Sequence, residues 1–332
     1  MSNNLLEIKN LKTFFKIEAG TVKAVNDVSF GVRKGETVCI VGESGCGKSI
    51  TAMSIMGLVS KDNGSIEDGE ILYNGKDLLK LSDEEMRKIR GKDIAMIFQE
   101  PMSSLNPVFT IGFQISESLI IHEGMDKKAA RKRSIELLEE VGIPRANKIV
   151  DSYPHELSGG MRQRVMIAMG LSCNPKILIA DEPTTALDVT IQAQILDLMR
   201  GIKDKFQTSI LLITHDLGVV AEMADYVVVM YAGKVVEEAP VMEIFKKTSH
   251  PYTIGLLKSK PKLSERQTEL YSIPGQVPNP VGMKECCYFC DRCDKAMDIC
   301  KTSIPSLKLI GENHKVACWL YDEGIASKEE KK

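Results

Sequence analysis

The sequence predicts an α/β fold built on a mostly parallel sheet, with a small cysteine-rich module at the carboxyl end. Three observations carry this. Short apolar runs alternate with helical patterns through the middle of the chain, one apolar run feeds a glycine-rich loop and then a helix, and six of the nine cysteines lie in the last 47 residues. Strands alternating with helices imply a parallel sheet covered on both faces. The chain has 332 residues, of which 43% are apolar and 27% charged, with a net charge of −2, the mix of a folded globular protein. Its apolar runs fall far short of the roughly 20 residues of a membrane span. Residues 1–10 lack the basic-then-apolar pattern of a secretion signal, so a cytoplasmic chain is expected. The charge balance forms no basic footprint for nucleic acid.

Taken in order, residues 5–15 and 22–32 alternate with period 2 and predict an amino-terminal antiparallel β subdomain. An apolar strand over residues 37–41 precedes the loop Gly42-Glu43-Ser44-Gly45-Cys46-Gly47-Lys48-Ser49 and a helix over 48–58. Asn63-Gly64 and Asn74-Gly75 bracket a short strand at 70–73, and Ser82 with Glu85 forms a capping box for a helix to about residue 89. After a strand at 94–98 the spacing turns helical, and residues of about 100–160 are expected to form an inserted helical subdomain, with an amphipathic helix over 126–141 ended by Gly142 and Pro144. A helix from Ser158 to about residue 172, strands at 177–180, 209–214 and 226–231, and helices at 189–206 and 217–224 complete the α/β part. Residues 1–249 are thus expected as one domain and 250–332 as a separate module ending in a polar tail, with no internal repeat.

The glycine-rich loop fits the pattern GxxxxGK[ST] at a strand-to-helix turn, where backbone N–H groups and the helix N-terminus converge on an anion. Lys48 is expected to reach the β and γ phosphates of a nucleotide and Ser49 to hold Mg²⁺. A magnesium-holding serine needs a carboxylate at the end of a neighbouring strand, and the run 177–180 supplies Asp181, followed by Glu182. That pair is either a simple charge at a helix start or a metal ligand beside a water-polarising base. A second glycine-rich helix start, Leu157-Ser158-Gly159-Gly160-Met161-Arg162-Gln163-Arg164, has no lysine of its own. Ser158 could be an ordinary N-cap.

Together these segments resemble the ABC-transporter ATPase family, whose signature LSGGxxQR the second segment matches. The resemblance implies a P-loop ATPase in which Gly42 through Ile50 bind ATP, and Ser158, Gly159 and Gly160 close over ATP held by a partner subunit. It further implies Gln99 as a Q-loop residue touching Mg²⁺ with Ser49 and Asp181, Ala186-Leu187-Asp188 as the D-loop, His215 as the switch histidine, and Glu182 as the catalytic base. Phe15 is similar in place to the aromatic that stacks on adenine, with Phe14 competing, and either could be packed in the sheet. Residues 74–77, Asn-Gly-Lys-Asp, do not form the guanine-reading NKxD of a GTPase. A small-molecule kinase has no use for LSGGMRQR, and the ABC proteins of DNA repair or translation carry long insertions or a second cassette.

The segments Gln99-Glu100-Pro101-Met102-Ser103-Ser104-Leu105-Asn106-Pro107, His250-Pro251-Tyr252-Thr253 and Ile273-Pro274-Gly275-Gln276-Val277-Pro278 resemble the dipeptide and oligopeptide (also nickel) importer ATPases. This implies ATP-driven import at the cytoplasmic face of the membrane. The implied partners are a second paralogous ATPase in a heterodimer, two permease subunits and an extracytoplasmic substrate-binding protein. A permease helix is expected against residues 102–113. Nickel or another small solute, and a non-transport ATPase, are the alternatives. The family pattern Cys-x-Phe-x-x-Arg-Cys with two later cysteines maps onto Cys287, Phe289, Arg292, Cys293, Cys300 and Cys318 and implies a [4Fe–4S] cluster on those four cysteines. Cys286 and Cys290 are extras, and Cys287, Cys290 and Cys293 also have zinc-site spacing, with His314 a weaker candidate ligand. Unliganded thiols are the third reading. Nothing in the sequence links this module to the nucleotide loop.

Overall fold

The computed structural model describes residues 4–100, 104–185, 187–259 and 271–322. Its strands are β1 (Asn4–Ile17), β2 (Gly20–Arg33), β3 (Thr37–Val41), β4 (Gly64–Tyr73), β5 (Lys76–Asp77), β6 (Ile94–Ile97), β7 (Ile177–Asp181), β8 (Ser209–Thr214), β9 (Tyr226–Tyr231), β10 (Lys234–Pro240), β11 (Lys308–Gly311) and β12 (His314–Val316). Among the α-helices are α1 (Lys48–Ile55), α2 (Asp83–Ile89), α3 (Ile111–Glu123), α4 (Lys127–Glu140), α5 (Ala146–Ile149), α6 (Gly159–Leu171), α7 (Val189–Phe206), α8 (Leu217–Met223), α9 (Val241–Lys246) and α10 (Pro251–Lys258). The chain divides into two units. One takes residues 32–37 and 73–214 with the start of the chain, and the other takes 7–31, 38–72 and the residues from 215 on. Among the described residues no helix is long and apolar enough to cross a membrane.

In the unit that holds the glycine-rich loop, β1 and β2 form a hairpin through Glu18 and Ala19, and β4 lies beside β1. Asn10 breaks the pleat of β1 with a φ of 48°, so buried positions shift from Ile8 to Leu11 and Thr13. Its side chain is held by Asp27, itself at a φ of 66° on β2. Paired left-handed residues of this kind bend a ribbon and increase its twist. The core strand β3 runs parallel to β9, with Val38 opposite Tyr226 and Val41 opposite Val229. Every residue of β3 is buried, because a parallel strand covered on both faces needs apolar side chains in both directions.

From β9 the sheet continues antiparallel through β10, β12 and β11. Glu237 pairs with Val316 and Glu238 with Lys315, so the last segment of the chain is woven into the same sheet as β9. Both sides of residue 249/250, the border expected from sequence, fall within this unit. Strand β10 is hidden from sequence reasoning because two glutamates sit in its middle, where an exposed strand would carry them; here both are buried. Glu237 accepts from the backbone N–H groups of Ser249 and His250 and meets His314 Nε2 at 2.8 Å, which satisfies the carboxylate inside the protein.

The other unit is built on β6, β7 and β8, all parallel, with Ile94 opposite Ile177 and Asp181 opposite Ile213. Helices α3, α4 and α6 pack against one another beside it. The α3–α4 contact includes a buried Ser116–Ser134 hydroxyl pair at 2.9 Å. The strand expected at 70–73 is instead the ten-residue β4. Helix α1 ends at Ile55 rather than 58, because Gly57 takes a φ of 60° and turns the chain away.

Candidate functional site

The glycine-rich loop is fixed by close backbone approach. A Cβ on Gly42 would stand 2.2 Å from the Met230 carbonyl oxygen, and one on Gly47 would stand 2.3 Å from that of Ala24. Gly47 caps α1 at a φ of 101°, a conformation that glycine alone adopts freely. Gly233 N–H donates to the Cys46 carbonyl, so the turn from β9 to β10 supports the loop from behind. Lys48 is only 5% exposed, and its Nζ donates to the carbonyls of Gly42 at 2.7 Å and Glu43 at 3.1 Å. The Cys46 thiol is buried, and that burial raises its pKa against the opposing charge of Lys48. Ser44 and Gly45 stand exposed at the tip, and Ser49 and Ile50 are half-buried in the first turn of α1. Phe15 is half-buried on β1 and packs over Gly64, where a Cβ would meet its ring at 2.7 Å. His215 is exposed directly before Asp216, the N-cap of α8.

In the other unit, Asp181 ends β7 and is 3% exposed. Glu182 follows at a φ of 47°, a left-handed conformation that costs a bulky residue about 1–3 kcal/mol and clusters at functional sites. Its backbone N–H donates to Ile213 O at 2.9 Å. Its Oε2 accepts from Thr185 Oγ1 at 2.9 Å and from Gln99 Nε2 at 3.2 Å. Gln99 and Glu182, read from sequence as separate landmarks, thus meet directly. Thr185 was missed, since a threonine three residues after a carboxylate carries no distinctive signal.

Ser158 is indeed the N-cap of α6, accepting from Met161 N–H. Asp188 caps α7 by accepting from Ile191 N–H at 3.0 Å. These two helix starts are neighbours, because a Cβ on Gly160 would touch Ile191 Cγ2 at 3.1 Å, whereas one on Gly159 would meet nothing within 4 Å. Ala186 and residues 101–103 lie outside the described residues, as does the polar tail beyond 322. Within the segment expected to meet a permease, Val108, Phe109 and Phe113 are exposed, and the two phenylalanine rings stack at 4.6 Å. Phe113 opens onto a groove of about 350 Å³ lined also by Ile120, Ile121 and Val150.

The thiols of the cysteine module lie close enough to influence one another. Burial pushes the Cys287 thiol up to about 12, with Cys300, Cys290 and Cys318 adding to it. Burial likewise raises Cys318 to about 11, with Cys293 and Cys300 adding to it. Cys290 also interacts with Asp291 and Cys286. Backbone bonds link Cys287 N–H to Cys300 O at 2.8 Å, Cys290 N–H to Cys287 O at 3.0 Å and Cys293 N–H to Cys290 O at 3.3 Å. Among the described residues, no three His, Cys, Asp or Glu side chains are grouped to hold a single ion. His314 is buried and committed to Glu237.

The expectation that nothing links this module to the nucleotide loop is overturned. Arg292 forms a two-pronged ion pair with Glu43, at 2.8 and 3.1 Å, and the Glu43 N–H donates to Tyr252 Oη at 2.9 Å. The sequence could not signal a pair 249 residues apart.

Comparison with known proteins gives concordant results. Residues 25–185 match the family model described as ABC transporter, and residues 236–300 match that described as Oligopeptide/dipeptide transporter, C-terminal region. The chain is 57% identical over 321 residues to the oligopeptide transport ATP-binding protein AppD of Bacillus subtilis, covering 97% of this chain and 98% of AppD. It is 52% identical over 319 residues to the dipeptide transport ATP-binding protein DppD of the same organism, covering 96% and 95%. Among solved structures it resembles the ATP-binding cassette MJ0796, seen as a dimer bound to ADP and Pi. That match has a TM-score of 0.64 and 29% identity over 71% of this chain and 98% of that one.

Proposed function

The chain belongs to the ABC transporter ATP-binding proteins of oligopeptide and dipeptide transport, and on that premise we propose that its ATP hydrolysis powers import of di- or oligopeptides. The observation that carries this is an intact phosphate-binding loop and carboxylate pair in a chain that matches peptide-transport relatives over almost its whole length.

In this reading Lys48 and the N–H groups of residues 44–50 hold the phosphates of ATP. Ser49, Asp181 and Gln99 are oxygen donors of the kind Mg²⁺ takes. Glu182 orients and polarises the attacking water, its carboxylate aimed by Thr185 and Gln99. His215 contacts the γ phosphate and Phe15 stacks on adenine. Ser158, Gly159 and Gly160 close over ATP held by a second, paralogous ATPase, and Asp188 lies at the same dimer interface. The exposed apolar residues from Val108 to Phe113 receive a cytoplasmic helix of one of two permease subunits, which places the chain peripherally on the inner face of the membrane. An extracytoplasmic binding protein delivers the peptide.

Cys287, Cys293, Cys300 and Cys318 would hold a [4Fe–4S] cluster. What supports this over zinc is the family pattern carried by Cys287, Phe289, Arg292, Cys293 and the two later cysteines, and the engagement of His314 by Glu237. When bound, such a group would partly offset the charge of the four thiolates and cross-link a module with little core of its own. Anaerobically purified protein is expected to be brown and to contain iron and acid-labile sulfide. A colourless protein with stoichiometric zinc would overturn the cluster.

The test of function is uptake. A strain lacking this gene should lose uptake of labelled di- or tripeptides and regain it with the wild-type gene but not with Glu182→Gln. Peptide uptake unaffected by the deletion, with nickel uptake lost, would replace peptide by metal as the cargo.

A further inference from the structure

The guanidinium of Arg292 uses all five of its N–H donors. Nε donates to Pro274 O at 2.9 Å, one terminal nitrogen to Glu43 at 2.8 Å and Tyr231 Oη at 3.3 Å, and the other to Glu43 at 3.1 Å and Ile273 O at 3.4 Å. The side chain is 6% exposed, and five donors is the full capacity of the group. Its position is set from both sides. In sequence it lies between Cys290 and Cys293, and in space it lies within 6 Å of the Tyr231 and Phe289 ring centres. Phe289 in turn meets Tyr231 and Tyr252 edge-on at 5.3 and 5.5 Å. One continuous packed network therefore runs from the cysteine turn, through three aromatic rings, to the second residue of the phosphate-binding loop.

Glu43 receives this network twice. Its carboxylate takes the guanidinium and its backbone N–H is taken by Tyr252 Oη, while its carbonyl accepts from the Lys48 ammonium. Fixing Glu43 thereby fixes one of the two carbonyls that hold Lys48. We propose that Arg292 is a positioning residue for nucleotide binding: by clamping Glu43, the cysteine module holds the phosphate-binding loop and Lys48 in the arrangement that meets ATP. This rests on residues 42–49 being the nucleotide loop. Arginine is required because the planar fork matches both carboxylate oxygens at once, which a lysine ammonium cannot do.

The chemistry sets up a test by sign. Removing the negative charge of Glu43 makes the loop more positive, so electrostatics alone would tighten a polyphosphate ligand. The clamp predicts the opposite. On the full chain, titration with a fluorescent ADP analogue in Mg²⁺ should show about tenfold weaker binding for both Arg292→Lys and Glu43→Gln, the loss of a charge-assisted bidentate contact. The double variant should be no weaker than the weaker single one. Iron or free-thiol content measured beside each titration reports whether the module is intact, and Lys48→Ala serves as control. If Arg292→Lys fails to fold, Glu43→Gln decides, since it changes no residue of the module and the iron or thiol content shows whether the module has stayed intact. Unchanged or tighter binding in Glu43→Gln, or losses that multiply in the double variant, would overturn the clamp. Unchanged binding in Lys48→Ala would instead overturn the reading of the loop.

Discussion

Two glycine-rich helix starts in this chain look alike in sequence and are built in opposite ways. The loop at residues 42–49 is enclosed: backbone carbonyls press on Gly42 and Gly47, Lys48 is buried, and groups from three later segments, at Gly233, Tyr252 and Arg292, bind it. The start at residues 158–160 is open. Ser158 and Gly159 are exposed, a Cβ at Gly159 would meet nothing within 4 Å among the described residues outside its own turn, and no lysine accompanies them. Both offer helix-start N–H groups suited to an anion, but only the first has a buried lysine beside them. The difference is that the first start is braced by distant parts of its own chain, while the second is left open, as the proposed closure over a partner's nucleotide requires.

The sharpest way to test this division is chemical. Glu182→Gln should slow ATP turnover of the assembled transporter by about 10²–10⁴-fold, the usual range for a lost base, with nucleotide affinity of the single chain unchanged. Loss of affinity together with turnover would make Glu182 a binding residue. Next, Lys48→Ala should weaken nucleotide binding by about 10²-fold or more by removing the buried charge, measured by the same titration.

A matched pair of alanines compares the two loops through stability. Gly47→Ala should destabilise the protein by about 1–3 kcal/mol through overpacking and a strained φ, whereas Gly159→Ala should stay within about 0.5 kcal/mol, as at an open surface. Thermal melts of the two variants decide it, and equal shifts would erase the contrast. The smallest effect on the nucleotide sites concerns the cysteines. Cys293→Ser should lose the iron and Cys290→Ser should keep it, by metal analysis, with the reverse order pointing to the zinc-type set.

Much of this was legible in the sequence, for identifiable reasons. Strands β3, β7, β8 and β9 are short continuous apolar runs, since parallel strands are buried on both faces, and each ends at a loop rich in glycine, acid or histidine. The N-caps Ser82, Ser158 and Asp188 act through residues only three places away, a range that pattern reading covers. What escaped depends on distant parts of the chain. Strand β10 hides behind Glu237 and Glu238, whose partners His314 and Lys315 lie 77 residues on. The weaving of β11 and β12 into the sheet follows from that pairing, which composition does not signal. The Arg292–Glu43 clamp has no periodicity at all, and the left-handed turn at Glu182 gives no sign in a sequence that reads Asp-Glu-Pro.

The central claim is that the two glycine-rich starts serve two different nucleotides. Ser158→Arg, which places a bulky cation at the open helix start, addresses it in one experiment on two preparations. The isolated chain should bind the fluorescent ADP analogue within about twofold of wild type, since about 0.4 kcal/mol is all that allows. The transporter assembled with its partner subunits should lose about 100-fold or more of its ATP turnover, on the scale of a lost transition-state contact. Weakened binding in the isolated chain, or full turnover in the assembled one, would contradict the account.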